Sequence, residues 1–178
     1  MKLRLLPVIL SVVVSASVLF GGYFAYQSVA MENPLQNVVT SIPGVELVQM
    51  NLSGTKAELE LKLASDTSLR DVYQQIQKQG ASVIGDKQLL VTIAGDSSPR
   101  LEQWWSSALF EVAQAMETKQ YANIPKSLQA KAESSGDGLT VSTEMDDKYV
   151  YVTLKDGESS KHIMLPRTPA KMGVWPNE

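Results

Sequence analysis

Between Leu5 and Tyr26 the chain carries 22 consecutive residues without a charge, dense in Val, Leu, Ile and Phe. As a helix rising about 1.5 Å per residue, such a run covers roughly 33 Å, the thickness of a bilayer's hydrocarbon core. Lys2 and Arg4 precede it and the next charge is Glu32, which predicts a cytoplasmic N-terminus with everything after about residue 30 outside. Pro7 falls near the helix start, where its missing N–H costs least. The alternative is a cleaved signal peptide, with Ser28-Val29-Ala30 as the small-residue cleavage site. The apolar run is longer than the roughly 7 to 15 residues of a signal core, so residues 1–30 are expected to stay as a transmembrane anchor. Ser17, Gly21 and Ala25 recur every fourth residue and line one face of it, which makes them candidates for close helix packing.

The remaining chain has room for one domain of ordinary size. Of the 178 residues, 44% are hydrophobic and 20% charged, a globular composition. Removing Lys2 and Arg4 from the 16 basic residues leaves 14 against 19 acidic ones, so residues 31–178 carry a formal charge of −5. That sign gives no electrostatic footprint for nucleic acid and no attraction to anionic lipid. With no Cys and one His, thiol catalysis, disulfides, iron–sulfur clusters, the usual zinc sites and lipoprotein acylation are all excluded.

Residues 31–44, punctuated by Asn33-Pro34 and Ile42-Pro43-Gly44, read as a juxtamembrane linker. The folded unit, 45–165, is expected to be α+β, with mainly antiparallel strands packed against helices. Val45 to Leu52 and Ala57 to Leu63 form a hairpin across Ser53-Gly54. In its second strand Ala57, Leu59, Leu61 and Leu63 face one way and Glu58, Glu60 and Lys62 the other. A helix follows, opened by the capping candidates Asp66-Thr67-Ser68 and carrying Leu69, Val72, Tyr73 and Ile76, with Gly80 suited to its C′ position. Ser82 to Ile84 reads as a short strand before a further one at Gln88 to Ala94, completing a β-β-α-β half.

Ser98-Pro99 opens the longest helix of this part. Leu101, Trp104, Trp105, Ala108, Leu109, Val112 and Met116 share one stripe of it, the expected core face. A shorter helix begins at Asn123-Ile124-Pro125. Leu139 to Met145, Tyr149 to Leu154 and Ser160 to Leu165 then form a β-β-β meander, and residues 166–178 are a proline-punctuated tail.

No catalytic, cofactor or metal residues emerge from this pattern. His162 lies on a strand beside Ser160 and Met164, where a surface imidazole is the expectation, and no hydrolytic triad can be built without it. Glu58 and Glu60 sit on one strand face roughly 6.5 to 7 Å apart, on the side expected to be wet. Glu144, Asp146 and Asp147, and later Asp156 and Glu158, make acidic turns that lack a calcium-loop pattern, and no phosphate-binding glycine motif occurs.

Aromatic residues supply the partner-contact candidates. Phe110 points away from the stripe among Gln103, Ser106, Gln114 and Glu117. It is either covered by a second layer such as the meander, the favoured alternative, or free for a partner. Tyr149 and Tyr151 share a strand face with Thr153 and suggest an aromatic outer surface. Trp175 stands in the tail as a further contact candidate.

A short N-in anchor, a Cys-free α+β body and an acidic balance together resemble the layout of small single-pass membrane proteins of Gram-positive, spore-forming bacteria. The β-β-α-β half is similar to the ring-building and BON-like modules that assemble at membranes. That similarity implies assembly, and it carries over no site residue, since no position matches a diagnostic motif. The expectation is a membrane-anchored extracytoplasmic interaction or scaffold protein without catalytic activity or cofactor, engaging a protein partner or a second copy of itself and no nucleic acid. The alternatives are a ligand-binding or sensing domain for a small molecule, peptide or wall fragment, with an aromatic-lined pocket, and a hydrolase working through Ser, Asp or Glu alone.

Overall fold

A computed structural model describes residues 5–95, 97–136 and 138–168. The first helix, α1 (Leu5–Gln27), is apolar on all sides, and its large side chains stand open, Leu19 at 73% and Phe20 at 67% exposure. It is the one described helix long and apolar enough to cross a membrane, and none of that apolar stretch is buried against the rest of the protein.

The linker expected at 31–44 is instead largely helical. A π-helical turn at Ser28–Glu32 carries α1 directly into α2 (Asn33–Thr40). Pro34, which the sequence presents as a breaker, occupies the first turn of α2, directly after the π-helical turn. Leu35 and Val39, one helical turn apart, are fully buried, and Ile42 follows them into the core.

β1 (Val45–Leu52) and β2 (Lys56–Leu63) pair antiparallel, with a bulge between Leu47 and Gln49 that leaves Val48 exposed. The alternation of β2 holds residue by residue: Ala57, Leu59, Leu61 and Leu63 are buried, and Glu58 and Lys62 are exposed. α3 (Leu69–Gln79) is opened by Ser68, whose Oγ accepts from the Asp71 N–H at 3.2 Å. It buries Leu69, Val72, Tyr73 and Ile76 against this sheet.

Because α3 carries the chain back across the sheet, β3 (Gln88–Ile93) joins β2 in parallel, giving the order β1-β2-β3. The short strand expected at Ser82 to Ile84 is a single helical turn, α4 (Ala81–Ile84). Gly80 ends α3 as anticipated, but with right-handed torsions, and a Cβ there would lie 2.7 Å from the Ile76 carbonyl and 2.9 Å from Leu35 Cδ1. Close approach, rather than left-handed backbone, is what requires glycine at this position.

α5 (Pro99–Glu117) is capped by Ser98 Oγ on the Leu101 N–H and buries Leu101, Trp104, Trp105, Ala108, Val112 and Ala115. Leu109, expected on the stripe, lies at its margin with 43% exposure, and Met116 is half-buried. α6 (Asn123–Ser135) adds Ile124 and Leu128 and ends at Gly136 in left-handed conformation. β4 (Thr140–Met145), β5 (Tyr149–Asp156) and β6 (Ser159–Pro166) form the antiparallel meander.

The fold is α+β, with two three-stranded sheets and two apolar cores. β5 belongs to both cores: Val150, Val152 and Leu154 pack on α5 and α6, while Tyr151 packs into the core of α3 and the first sheet.

Candidate functional site

The densest side-chain network lies where α3 meets the turn between β4 and β5. Tyr73 stands edge-on to Tyr149 at 5.1 Å between ring centroids, and Tyr151 completes the group at 6.3 Å from Tyr73 and 6.1 Å from Tyr149. Beneath the rings, Asp146 Oδ1 accepts from the backbone N–H groups of Lys148 and Tyr149, each at 2.8 Å. Its Oδ2 accepts from the Tyr151 hydroxyl at 2.7 Å and, at 3.4 Å, from Gln74 Nε2 on α3. Arg167 donates to the Asp146 carbonyl at 2.8 Å and lies 4.7 Å over the ring of Tyr121. On the same side Ser68 Oγ donates to Glu144 Oε2 at 2.7 Å, with Arg70 3.8 Å from the other oxygen.

Burial pushes the Asp146 carboxyl upward, but the donors Tyr151, Tyr149, Lys148 and Gln74 outweigh it and hold the group below the usual aspartate range. Burial first, then its hydrogen bond to Asp146 and the charge of that carboxylate, push the Tyr151 hydroxyl well above the ordinary tyrosine value. Burial and the neighbouring Tyr149 do the same to Tyr73. A carboxylate with its lone pairs engaged and two neutral phenols supply neither base nor nucleophile at neutral pH. The arrangement joins α3 of the first half to the β4–β5 turn of the second.

This overturns the aromatic outer surface expected for Tyr149 and Tyr151. Tyr151 is 1% exposed and Tyr149 half-buried, because α3, distant in sequence, covers the face that strand alternation alone left open.

The other face of the first sheet is open. Glu58 stands opposite Asn51 on β1 and beside Leu90 on β3, and Glu60 stands opposite Gln49 and beside Thr92. Together they line a shallow cleft of 340 Å³. Carboxylates flanked by amides and a hydroxyl suit a cationic or hydroxyl-rich molecule. No aromatic side chain lines this cleft, unlike the pocket expected for a sensing domain. Among the described residues no three His, Asp or Glu side chains converge into a metal site.

The remaining sequence candidates are dispersed. Phe110 is 85% exposed on the outer side of α5: the meander packs on the opposite side of that helix, through Val150, Val152 and Leu154, so the expected covering layer is not over the ring. His162 is half-buried rather than a surface group. Its Nδ1 is 3.2 Å from Thr153 Oγ1 and its Nε2 is buried without a partner. Burial first, then the charge of Lys155, lower its pKa, so the ring is neutral near pH 7.

Ser17, Gly21 and Ala25 lie on the open surface of α1, where Ser17 Oγ is turned inward to the Val13 carbonyl at 2.8 Å. Trp175 lies outside the described residues. Asp146, the centre of the best-formed network, read from sequence only as part of an acidic turn. Its place before Lys148 and Tyr149 signals a turn cap, and its link to Tyr151 has no sequence signature.

Compared with known proteins, the chain matches no family model, no curated protein and no solved structure.

Proposed function

We propose that the chain is a membrane-anchored extracytoplasmic interaction or scaffold protein without catalytic activity, of the kind its layout resembles among small single-pass proteins of Gram-positive, spore-forming bacteria. The observation that carries this is the run of α1 into the body. An apolar helix with no protein against it continues through one π-turn into a helix whose Leu35 and Val39 are core residues. That exposed surface calls for lipid, and the join to α2 makes anchor and body one unit. Phe110 supports the interaction role as a large ring with little cover.

In intact cells an amine reagent that cannot cross lipid should label the exposed Lys56, Lys126 and Lys148 and spare Lys2. Labelling of those three only after lysis would overturn the placement. A photocrosslinking residue in place of Phe110 should give a discrete adduct in native membranes, and a strictly solitary chain would overturn the role. The cleft over Glu58 and Glu60 favours a second reading, binding of a cationic or hydroxyl-rich ligand. Under that reading the purified chain binds a polyamine such as spermidine in calorimetry, and Glu58→Gln with Glu60→Gln abolishes that binding while the Phe110 adduct persists; no heat of binding with any polyamine or oligosaccharide overturns it.

A further inference from the structure

We infer that the groove between the C-terminal half of α5 and the start of α6, with Phe110 at its rim, binds a neutral oligosaccharide. The groove encloses 230 Å³ and is walled by Glu111, Gln114 and Thr118 of α5, by Gln120 of the turn, and by Asn123 and Ser127 of α6. Phe110, 85% exposed, precedes Gln114 by four residues, which on a helix sets their Cβ atoms about 5 to 6 Å apart. The ring therefore flanks the groove. Leu109, the other exposed apolar residue of α5, lies about 100° round the helix in the opposite sense, away from it.

The turn that shapes the groove is fixed by its own bonds. Lys119 adopts left-handed backbone (φ 57°), and the chain closes on α5 through Lys119 N to the Met116 carbonyl at 3.1 Å and Gln120 N to the Ala115 carbonyl at 2.8 Å. Asn123 Nδ2 then donates to Gln120 Oε1 at 2.8 Å, so the two amides hold each other in place.

The hydrogen-bond inventory selects the ligand. Thr118 Oγ1 donates to the Gln114 carbonyl at 2.8 Å and Ser127 Oγ to the Ile124 carbonyl at 3.2 Å. Both hydroxyls thus meet a ligand as acceptors. Glu111 can only accept, Asn123 keeps its Oδ1, and the amides of Gln114 and Gln120 supply the remaining donors. A wall rich in acceptors matches a molecule rich in O–H donors. Among the described residues no Lys or Arg lines the groove, so phosphate and carboxylate ligands find no counter-charge. One carboxylate among neutral groups is also a poorer match for a polycation than the paired Glu58 and Glu60 of the sheet.

The ring adds the second half of the argument. A pyranose carries C–H groups on its faces and hydroxyls round its edge, so it can cover Phe110 with a face while its edge reaches the polar wall. A protein partner calls for apolar neighbours round such a ring, whereas Gln103, Ser106, Gln114 and Glu117 surround it, all exposed. The groove is smaller than the roughly 300 to 1,000 Å³ of a pocket for a drug-sized ligand; it takes one sugar ring, with the next in the chain lying on Phe110. This deepens the interaction reading at Phe110 and rests on it.

The full-length protein in lipid nanodiscs, free of glycoside detergent, is mixed with chitotetraose or maltotetraose and followed by saturation-transfer NMR. At least one of the two should bind at millimolar concentration. Phe110→Ala should weaken that binding about tenfold and Asn123→Ala about three- to tenfold. Leu109→Ala, and Glu58→Gln with Glu60→Gln, should leave it unchanged. Absence of transfer to both sugars overturns the proposal, as does binding that survives Phe110→Ala or disappears with the Glu58 and Glu60 changes. Spermidine binding that Phe110→Ala removes, with neither sugar bound, overturns it in favour of a cation. If neither sugar binds but photocrosslinking from position 110 still yields a polypeptide adduct, the glycan falls and the interaction reading stands.

Discussion

Tyr151→Phe removes one oxygen from the network around Asp146 and nothing else, since the ring keeps its packing. The lost bond is a 2.7 Å contact between a buried hydroxyl and a carboxylate, of a class worth about 1.5 to 3 kcal/mol. Asp146 keeps two backbone donors at 2.8 Å and is partly exposed, which places the loss at the lower end, about 1.5 kcal/mol. For a chain of this size that corresponds to a drop in Tm of about 3 to 6 °C.

The pH dependence gives the sharper test. The donors hold the folded pKa of Asp146 below its unfolded value, which is about 3.9. Their contribution is complete above that value and disappears as pH falls through the lower folded one. Urea unfolding of the full-length protein in detergent, at pH 7 and again below about pH 3, measures the gap between wild type and variant. The gap should be full at pH 7 and shrink in acid, and Asp146→Asn should abolish most of the further effect of Tyr151→Phe. A gap under about 0.5 kcal/mol at pH 7, or one unchanged by acid, would refute the assignment of Asp146 as the charge that this hydroxyl serves.

Other changes follow from burial. Leu35→Ala, at a fully buried site in the segment that sequence reads as a linker, should cost about 2 to 5 kcal/mol in the same assay, whereas a linker residue would cost nothing measurable. Gly80→Ala pushes a methyl against the Ile76 carbonyl and Leu35 and should cost about 1 to 3 kcal/mol; a neutral result would show that α2 and α3 are not packed this closely. Phe110→Ser, at an 85% exposed site, should leave stability within about 0.5 kcal/mol and abolish any partner adduct that an amine-reactive crosslinker gives with the otherwise unaltered chain in membranes; an adduct of wild-type yield would refute the contact.

What the sequence disclosed follows the range of the forces involved. The period-two run from Ala57 to Leu63, the stripe of Leu101, Trp104, Trp105, Ala108 and Val112 and the caps at Ser68 and Ser98 are local patterns, and the structure repeats them. The departures at α2, α4 and β5 have two sources. At Pro34 and at Ser82 to Ile84 only propensity speaks, yet proline also stands in the first turn of helices, and one helical turn over Ala81–Ile84 is too short to show a period. The burial of Tyr149 and Tyr151 is hidden in the sequence because a strand covered on both faces still alternates chemically, and only the return of α3 closes the aromatic side. The open cleft over Glu58 and Glu60 was legible as a wet face. Its concavity depends on neighbours contributed by β1 and β3.

The π-turn at Ser28–Glu32 makes the first helix a crankshaft rather than a leash. With α1 in a bilayer, each residue inserted into or removed from that turn would rotate the whole body by about 100° and change its height by about 1.5 Å. Which surface looked down at the lipid headgroups and which looked sideways would then be set by a residue count between the bilayer and Leu35.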